Sequence, residues 1–269
     1  MAIYDQHMHT YFSPDASEMF EEYLKQTTGP IVTTEHLDFH DCYNGGQDTV
    51  LDYAAYSTKI NQLNKQYDKR IRKGIEIGYT KESHQQINEY LDGKVFDVQL
   101  LSVHQNGIYD FLQPIVKEKK AADVMDEYFT LLLAALENFP TANILSHFDY
   151  GIRLFDVKVT DLQKYQVTLK AVLQKVIENK MAFELNTRSM YQYENETLYE
   201  QMISWYLELG GASFSLGSDA HSIADYGFHF DEAIALLKKY GVSTVTIFEK
   251  QKAKEINVST FKDNTTKIG

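Results

Sequence analysis

Histidines and carboxylates recur at the ends of the short apolar runs in this sequence. Alternate residues of an extended chain lie on the same face, so the side chains of His7 and His9 can both reach one ion. Imidazole and carboxylate ligands suit zinc, manganese or iron, and the single cysteine, Cys42, provides no thiolate set. Six runs contain or are followed by such residues, namely His7 and His9, His36 and His40, Glu76, His104, His147, and Asp219 with His221. The pattern therefore predicts a metal site built from separate parts of the chain.

The number of these ligands predicts more than one ion. The carboxylates Asp15, Glu76 and Asp219, together with seven histidines, are enough for two or three divalent ions. A carboxylate that bridges two ions about 3.5–4 Å apart would allow a shared hydroxide to act as a nucleophile. Burial of three carboxylates without cations would be costly, which also favours metal. A lone histidine at a strand end is more often an ordinary hydrogen-bonded residue, but coincidence at six strand ends is a poor explanation.

Short apolar runs alternate with longer amphipathic ones along the chain. The short runs are nearly continuous in apolar residues, which is typical of parallel strands covered by helices. We expect strands at residues 2–7, 31–35, 71–77, 95–103, 143–147, 181–186, 214–217 and 244–248. We expect helices at residues 17–26, with Ser17 as the N-cap, and at 49–67, 121–138, 161–179, 196–209 and 230–240.

This alternation predicts an α/β fold, and its seven or eight units suit a (β/α) barrel. An open, doubly wound sheet is the alternative. In a barrel the carboxyl ends of all strands meet on one face, which would bring the candidate ligands together. We expect residues 1–257 to form a single catalytic barrel and residues 258–269 to form a polar, poorly ordered tail.

Composition restricts the partners of the chain. Its 269 residues carry 26 basic and 38 acidic side chains, a formal net charge of −12, so non-specific binding of nucleic acid is disfavoured. The chain contains no apolar run of membrane-spanning length, and no membrane association is expected. One cysteine and an N-terminus without the features of a leader peptide suit the cytoplasm. Nothing in the sequence specifies an oligomeric state.

Six motifs resemble those of the PHP (polymerase and histidinol phosphatase) superfamily, in family order from residue 5 to about residue 222. They are Asp5-x-His7-x-His9-Thr10, Thr34-Glu35-His36, Gly74-Ile75-Glu76, Ser102-Val103-His104, Ser146-His147-Phe148-Asp149 and Ser218-Asp219-Ala220-His221. Chain length and the second-half pattern most resemble the stand-alone L-histidinol-phosphate phosphatases of that superfamily. The resemblance implies a distorted (β/α)7 barrel with three metal ions at the carboxyl ends of its strands.

The resemblance also implies a ligand set for each ion. The first ion would take His7, His9, Glu76 and Asp219; the second would take Glu76, His104 and His147; the third would take Asp15, His36 and His221. Glu76 would bridge the first two ions. Two positions depart from the family pattern, because some relatives have histidine in place of Asp15 and many have aspartate in place of Glu35. We expect Glu35 to lie behind a ligand rather than to bind metal.

A phosphate ester needs cationic partners besides metal. Arg153 and Arg188 follow the fifth and sixth predicted strands and are the candidates for phosphate binding, with His40 as a further substrate contact. Asp219, His221 or His40 could protonate the leaving alkoxide. The cationic part of the substrate needs acidic or polar partners, for which Asp38, Asp41 and residues 105–110 are all candidates.

These features favour a metal-dependent phosphomonoesterase that acts by attack of a metal-bridging hydroxide. The family resemblance implies that its substrate is L-histidinol phosphate, which would make the reaction a step of histidine biosynthesis. Glu76, Asp219 and His221 are the expected catalytic residues. The alternatives are a protein-tyrosine phosphatase or a nucleotide or oligonucleotide phosphoesterase of the same superfamily, and a non-catalytic metal-binding protein. The net charge of −12 disfavours the oligonucleotide branch, and the two arginines disfavour the non-catalytic protein.

Overall fold

The nearly continuous apolar runs form buried strands of one seven-stranded sheet. In the computed structural model, which describes residues 4–260, the sheet has the order β2-β1-β3-β4-β5-β6-β7. All neighbouring strands from β1 to β7 are parallel, and β2 pairs with β1 in the antiparallel sense. The predicted α/β class is therefore confirmed.

The helices that follow the strands in the sequence cover this sheet. The strands are β1 (Ile31–Asp41), β2 (Gln47–Val50), β3 (Ile71–Gly78), β4 (Val98–Ser102), β5 (Ile144–Leu145), β6 (Ala182–Asn186), β7 (Phe214–Gly217), β8 (Thr244–Glu249) and β9 (Lys252–Asn257). The α-helices are α1 (Phe20–Gln26), α2 (Tyr53–Gln66), α3 (His84–Leu91), α4 (Ala121–Asn138), α5 (Val159–Leu162), α6 (Gln166–Glu178), α7 (Glu196–Glu208) and α8 (Phe230–Lys239).

Residues 5–9 hydrogen-bond both to the region of β7 and to β1. The Gln6 amide donates to the Leu216 carbonyl at 2.9 Å, and the Asp219 amide donates to the His7 carbonyl at 2.8 Å. On the other side, the Thr34 amide donates to the Met8 carbonyl at 2.7 Å. The predicted first strand, residues 2–7, is wrong for residues 4–7, which form no regular strand, and its residues 2–3 lie outside the described part. The segment still hydrogen-bonds on one side to β7 and the turn after it, and on the other to β1.

Several other expected elements differ from the structure, among them the helix expected at residues 161–179, which is divided into α5 and α6. The helix expected from residue 49 begins at Tyr53, because residues 47–50 pair with β1 and the Asp52 side chain accepts the Ala55 amide as a cap. Ser17 does not cap α1, which begins at Phe20. The segment expected as an eighth strand pairs antiparallel with β9 instead of joining the main sheet.

The β8–β9 hairpin lies against the amino ends of the parallel strands. Phe248 packs there with a small apolar cluster that the strands contribute from their inner faces, namely Val32, Val98, Leu100, Ile144 and Ala182. The Phe248 amide donates to the Gln6 side chain at 2.9 Å. The carboxyl ends of the strands therefore remain for the candidate site.

The chain after the hairpin continues into a short turn. Residues 258–260 form one turn of 3-10 helix, and the rest of the expected polar tail lies outside the described residues. Within residues 4–260, no helix has both the length and the hydropathy that a membrane span requires.

Candidate metal centre

Parallel strand direction brings the candidate ligands to one end of the sheet. His36 on β1 pairs directly with Glu76 on β3, so both side chains start from the same level. His104, His147 and Asp219 each lie two residues beyond the ends of β4, β5 and β7. The chain turns away at those points, which lets side chains from three strands converge.

Glu76 lies at the centre of this cluster. Its carboxylate oxygens are within 3.5 Å of a ring nitrogen of five histidines, at 3.4 Å for His7, 3.5 Å for His9, 3.0 Å for His36, 3.1 Å for His104 and 2.8 Å for His147. Ser102 on the neighbouring strand also donates to it, at 2.7 Å. Burial by itself raises the pKa of Glu76, but the charges of His7 and His104 outweigh burial and hold the pKa well below its usual range.

Asp219 completes the innermost part of the cluster. Its Oδ1 lies 3.7 Å from Nε2 of His7 and 3.6 Å from Nε2 of His9. Asp219 has a left-handed backbone with φ of 53°, which is unfavourable for a non-glycine residue and is common at functional sites. Although burial raises the pKa of Asp219, the neighbouring His7 charge and the His9 hydrogen bond hold it well below its usual range.

Asp15 joins two further histidines at the outer edge. Its Oδ2 is 3.3 Å from Nε2 of His36 and 3.1 Å from Nε2 of His221. The rings of both histidines stack on the ring of His9, with centroids 4.3 and 4.4 Å apart. The structure therefore brings together all nine residues that the sequence suggests as metal ligands.

The donor atoms group in sets that could each hold an ion. Among the described residues, sets of three with all ligand atoms within 4.8 Å of one another include Glu76–His104–His147, His7–His9–Glu76, His7–His147–Asp219, His9–His36–His221 and His36–Asp38–His104. The first of these matches the ligands expected for the second ion. The set containing Asp38 was not expected from the sequence.

Several of these atoms are buried without a hydrogen-bond partner. They are Nε2 of His7, Nε2 of His9, Nδ1 of His36 and Oε2 of Glu76. Each buried, unsatisfied polar atom costs about 1–3 kcal/mol. Divalent cations would satisfy all four at once, because every one of these atoms can donate a lone pair. The residues present therefore fit a metal centre.

The electrostatics favour positive charge at the same point. Burial lowers the pKa of His7, but the carboxylates of Glu184, Glu76 and Asp219 outweigh it and raise the pKa well above its usual value. Burial and the neighbouring His36 and His221 lower the pKa of His9 to about 3, so its ring stays neutral. A divalent ion would supply the positive charge that the carboxylates favour while accepting the lone pairs of neutral rings.

A second layer of carboxylates orients the histidine rings. Glu184 on β6 contacts Nδ1 of His7 at 2.8 Å, and Asp38 on β1 contacts Nδ1 of His104 at 2.8 Å. Both leave Nε2 directed at the centre of the cluster. Glu184 was not predicted as a site residue, because the sixth strand carries no histidine and Glu184 is 177 residues from its partner.

His9 is oriented through one intervening hydroxyl. Its Nδ1 lies 3.2 Å from the Ser13 hydroxyl, which donates to Glu35 at 2.7 Å. Thr10 donates to the same carboxylate through its amide and its hydroxyl, at 3.1 and 2.7 Å. Glu35 therefore lies behind a histidine, as expected.

Two glycines make room for this second layer. A Cβ at Gly78 would lie 1.7 Å from Oδ1 of Asp38, and one at Gly217 would lie 2.0 Å from Oε1 of Glu184. Real contacts are never that short, so any side chain at either position would displace a carboxylate that orients a histidine.

Both candidate arginines lie beside Asp219. The Arg153 side chain is buried, donates to the Ser189 hydroxyl at 2.8 Å and lies 3.5 Å from Oδ2 of Asp219. Its guanidinium carbon is 5.0 Å from the ring centroids of both Tyr150 and Tyr193. Arg188 begins a π-helical turn, Arg188–Gln192, of the kind often found at functional sites. Its side chain is 29% exposed and lies 3.8 Å from Asp219 Oδ1, so it can also reach a ligand.

The structure does not bring His40 into the cluster. Its side chain is 62% exposed at the far end of β1, and its ring lies 3.7 Å from Asp48. Asp41 is occupied by the Tyr43 amide and the Thr49 hydroxyl. Asp110 contacts the Tyr150 hydroxyl at 3.3 Å, and burial raises its pKa to about 6.

This chain belongs to the PHP domain family, whose model matches residues 5–188. It is 29% identical over 263 residues to the histidinol-phosphatase of Lactococcus lactis subsp. lactis, covering 92% of this chain and 95% of that protein. It is 29% identical over 256 residues to a probable histidinol-phosphatase of Clostridium acetobutylicum, covering 93% of this chain and 98% of that protein.

A solved structure has a similar fold. It is the crystal structure of the histidinol phosphate phosphatase HisK of Lactococcus lactis subsp. lactis, complexed with zinc, L-histidinol and phosphate. The TM-score is 0.84 at 26% sequence identity, and the match covers 93% of this chain and 98% of that chain.

The contact between Glu184 and His7 predicts an effect on metal affinity. Glu184→Gln keeps the shape of the side chain but removes the charge that orients His7, so zinc affinity should fall about 10- to 100-fold. Competition between the protein and a chromophoric chelator would measure this affinity. Glu178→Gln, on the exposed side of α6, is the matched control and should leave it unchanged. Equal zinc affinity of the Glu184 variant and the unchanged protein would contradict the orienting role.

Proposed function

We propose that this protein is a metal-dependent phosphomonoesterase that hydrolyses L-histidinol phosphate to L-histidinol and phosphate. The convergence of five histidines on the buried Glu76 is the observation that carries this proposal, with Arg153 and Arg188 at its edge. Similarity to histidinol-phosphatases over more than nine-tenths of the chain supports the choice of substrate.

The proposed ligands are the nine residues of the cluster. His7, His9, Glu76 and Asp219 would hold one ion, Glu76, His104 and His147 a second, and Asp15, His36 and His221 a third. The donor sets described above support this division, and the zinc in the related crystal structure makes zinc the first metal to test. When bound, such ions supply Lewis acidity for phosphoryl oxygens and lower the pKa of a water molecule.

The chain itself would bind and orient the phosphate. We assign Arg153 and Arg188 to phosphate oxygens, because planar guanidinium groups donate two parallel hydrogen bonds to such anions. The rings of Tyr150 and Tyr193 fix the Arg153 guanidinium, which reduces the entropy lost when substrate binds. Asp219 lies within 4 Å of both arginines and would hold their guanidinium groups in position.

We assign the protonation of the leaving alkoxide to a histidine. The low pKa of Asp219 keeps it ionised, so it is a poor proton donor. His40 is 62% exposed and lies outside the cluster, which leaves His221, at the partly exposed edge of the site, as the proposed general acid, a role it can fill only while its Nε2 does not hold the third ion. Glu76 is ionised and enclosed, and its role is to hold the cluster together rather than to transfer a proton.

We also propose that the sheet closes into a distorted (β/α)7 barrel and that residues 1–257 form one catalytic domain. The hydrogen bonds of residues 5–9 to both β1 and β7, the first and last strands of the parallel series, support closure. Closure would place His7 and His9 between Asp219 and His36. We propose a cytoplasmic, small-molecule enzyme, in keeping with the single cysteine and the acidic charge.

The substrate is tested by phosphate release from a panel of esters. The zinc-loaded protein should hydrolyse L-histidinol phosphate with a kcat/KM about 100-fold or more above that for p-nitrophenyl phosphate, a phosphotyrosine peptide, a nucleoside monophosphate and a phosphodiester. Faster cleavage of the peptide or the diester would contradict the proposed substrate and move the chain to another branch of the family. Metal without turnover of any ester would overturn the enzymatic proposal.

The position of Arg188 predicts a defect in catalysis without loss of metal. Arg188→Gln should lower kcat/KM for L-histidinol phosphate about 100-fold or more, because one charged donor to the phosphoryl group is lost. Arg188→Lys retains the charge but not the paired donors, and should recover part of the loss. Steady-state kinetics and zinc content of the same samples would test this. Unchanged kcat/KM in Arg188→Gln would exclude the arginine from phosphate binding.

A further inference from the structure

A second cavity lies at the amino ends of the strands, away from the metal centre. It has a volume of about 620 Å³ and is lined by the end of α2, the start of β3, Asp97 before β4, and the turn between β8 and β9. Ile71 of this cavity and Glu76 of the metal centre are five residues apart on β3, about 16 Å along the strand. The cavity is therefore separate from the catalytic cluster.

The cavity is basic in an acidic protein. Its lining contains five basic residues, namely Lys65, Lys69, Arg72, Lys73 and Lys250, against two acidic ones, Asp97 and Glu249. The whole chain, in contrast, has a formal net charge of −12. A cleft lined by basic side chains attracts anions and raises their local concentration, even on a protein that is acidic as a whole.

Both acidic residues of the lining are already engaged. Glu249 pairs with the Arg72 guanidinium at 3.0 Å. Asp97 accepts the backbone amides of Lys73 and Lys250, both at 2.9 Å, and so ties the hairpin turn to the start of β3. Neither carboxylate lies within 4 Å of a lysine ammonium group of the lining among the described residues.

The lysine ammonium groups have no acidic partner within the described residues. Lys73 is half-buried, and its Nζ is fixed by hydroxyl groups, at 3.2 Å from Tyr53 and 3.0 Å from Ser57. Lys65 lies in the last turn of α2, where the helix dipole favours a cation. That explanation does not extend to Lys73 and Lys250, which lie on a strand and on a hairpin turn.

An apolar floor completes the cavity. Ile60 and Ile71 are almost fully buried there, and the Asn64 amide is bonded to the backbone of Ile71 at 2.8 and 2.9 Å. A cavity of this size, with an apolar floor and a basic lining, suits a small organic anion. A phosphate group offers negative charge and several acceptor oxygens to such a lining.

We propose that this cavity is a binding site for a phosphate-bearing small molecule, distinct from the catalytic site. The proposal does not rest on the proposed function of the metal centre. The volume of the cavity limits its ligand to a small molecule. The strongly acidic remainder of the chain opposes binding of a long polyanion such as nucleic acid.

Residue-resolved NMR of the zinc-loaded, ¹⁵N-labelled protein tests the proposal. Inorganic phosphate is titrated at constant ionic strength, with sodium chloride as the balancing salt. The amides of Lys69, Lys73 and Lys250 should shift along one saturating curve, separate from the curve of residues beside the metal centre. Linear, non-saturating shifts at these three amides would overturn the proposal.

Two variants and a control identify the groups responsible. The double variant Lys65→Gln/Lys69→Gln, at two exposed positions, should raise the Kd of this curve about fivefold or more. Lys73→Met keeps the aliphatic stem and the backbone bond to Asp97, and should also raise it. Lys170→Gln/Lys175→Gln on α6 is the matched control and should leave the Kd unchanged.

Turnover separates this site from the catalytic one. The Lys65→Gln/Lys69→Gln variant should hydrolyse L-histidinol phosphate at a rate within about twofold of the unchanged protein, since surface substitutions far from a site have small effects. An unchanged Kd in the Lys65/Lys69 and Lys73 variants would show that the basic lining does not bind phosphate, whatever the substrate of the metal centre proves to be.

Discussion

The structure depends on one buried carboxylate among histidine rings. Glu76 is 1% exposed and would be costly to bury alone, yet five ring nitrogens lie within 3.5 Å of it. Those rings come from four separate parts of the chain, namely residues 5–9, β1 and the segments that follow β4 and β5, so the parallel strands and their register must bring their carboxyl ends to this group. Four buried polar atoms of the cluster have no hydrogen-bond partner in the protein, and bound cations would satisfy them. Metal binding would therefore stabilise the fold, and loss of metal would remove part of what holds the strand ends together.

The residues around the cluster hold its histidine rings in position. Glu184 and Asp38 take the outer nitrogens of His7 and His104, so the inner nitrogens point to the centre. Gly217 and Gly78 allow these carboxylates to approach the neighbouring strands closely. The two arginines lie on the open side and share Asp219 with the cluster. The proposed ion ligands thus lie between the carboxylates that orient their rings and the two arginines that we propose for anion binding.

Most of the cluster could be predicted from sequence because its members, Asp15 excepted, lie at or near the ends of apolar runs, and parallel strands bring such ends together. Glu184 could not, since its strand carries no histidine and only the fold brings it to His7. β2 was missed because its four residues are mostly polar and gain their pairing from β1. Ser17 has the chemistry of an N-cap, but α1 starts three residues later at Phe20. The strand was expected to end at residue 35, but β1 continues to Asp41. His40 therefore lies on the strand itself, with its side chain exposed and away from the cluster, which the apolar run did not predict.

The most direct test of the central role of Glu76 is the zinc stoichiometry of Glu76→Gln beside that of the unchanged protein, measured by elemental mass spectrometry after reconstitution. Glutamine keeps the size of the side chain but cannot bridge two cations as a carboxylate does. We expect the unchanged protein to bind two or three zinc ions, and the variant to bind at least one fewer and to lose turnover while circular dichroism shows a folded chain. Full zinc content with unchanged turnover in the folded variant would contradict the bridging role of Glu76.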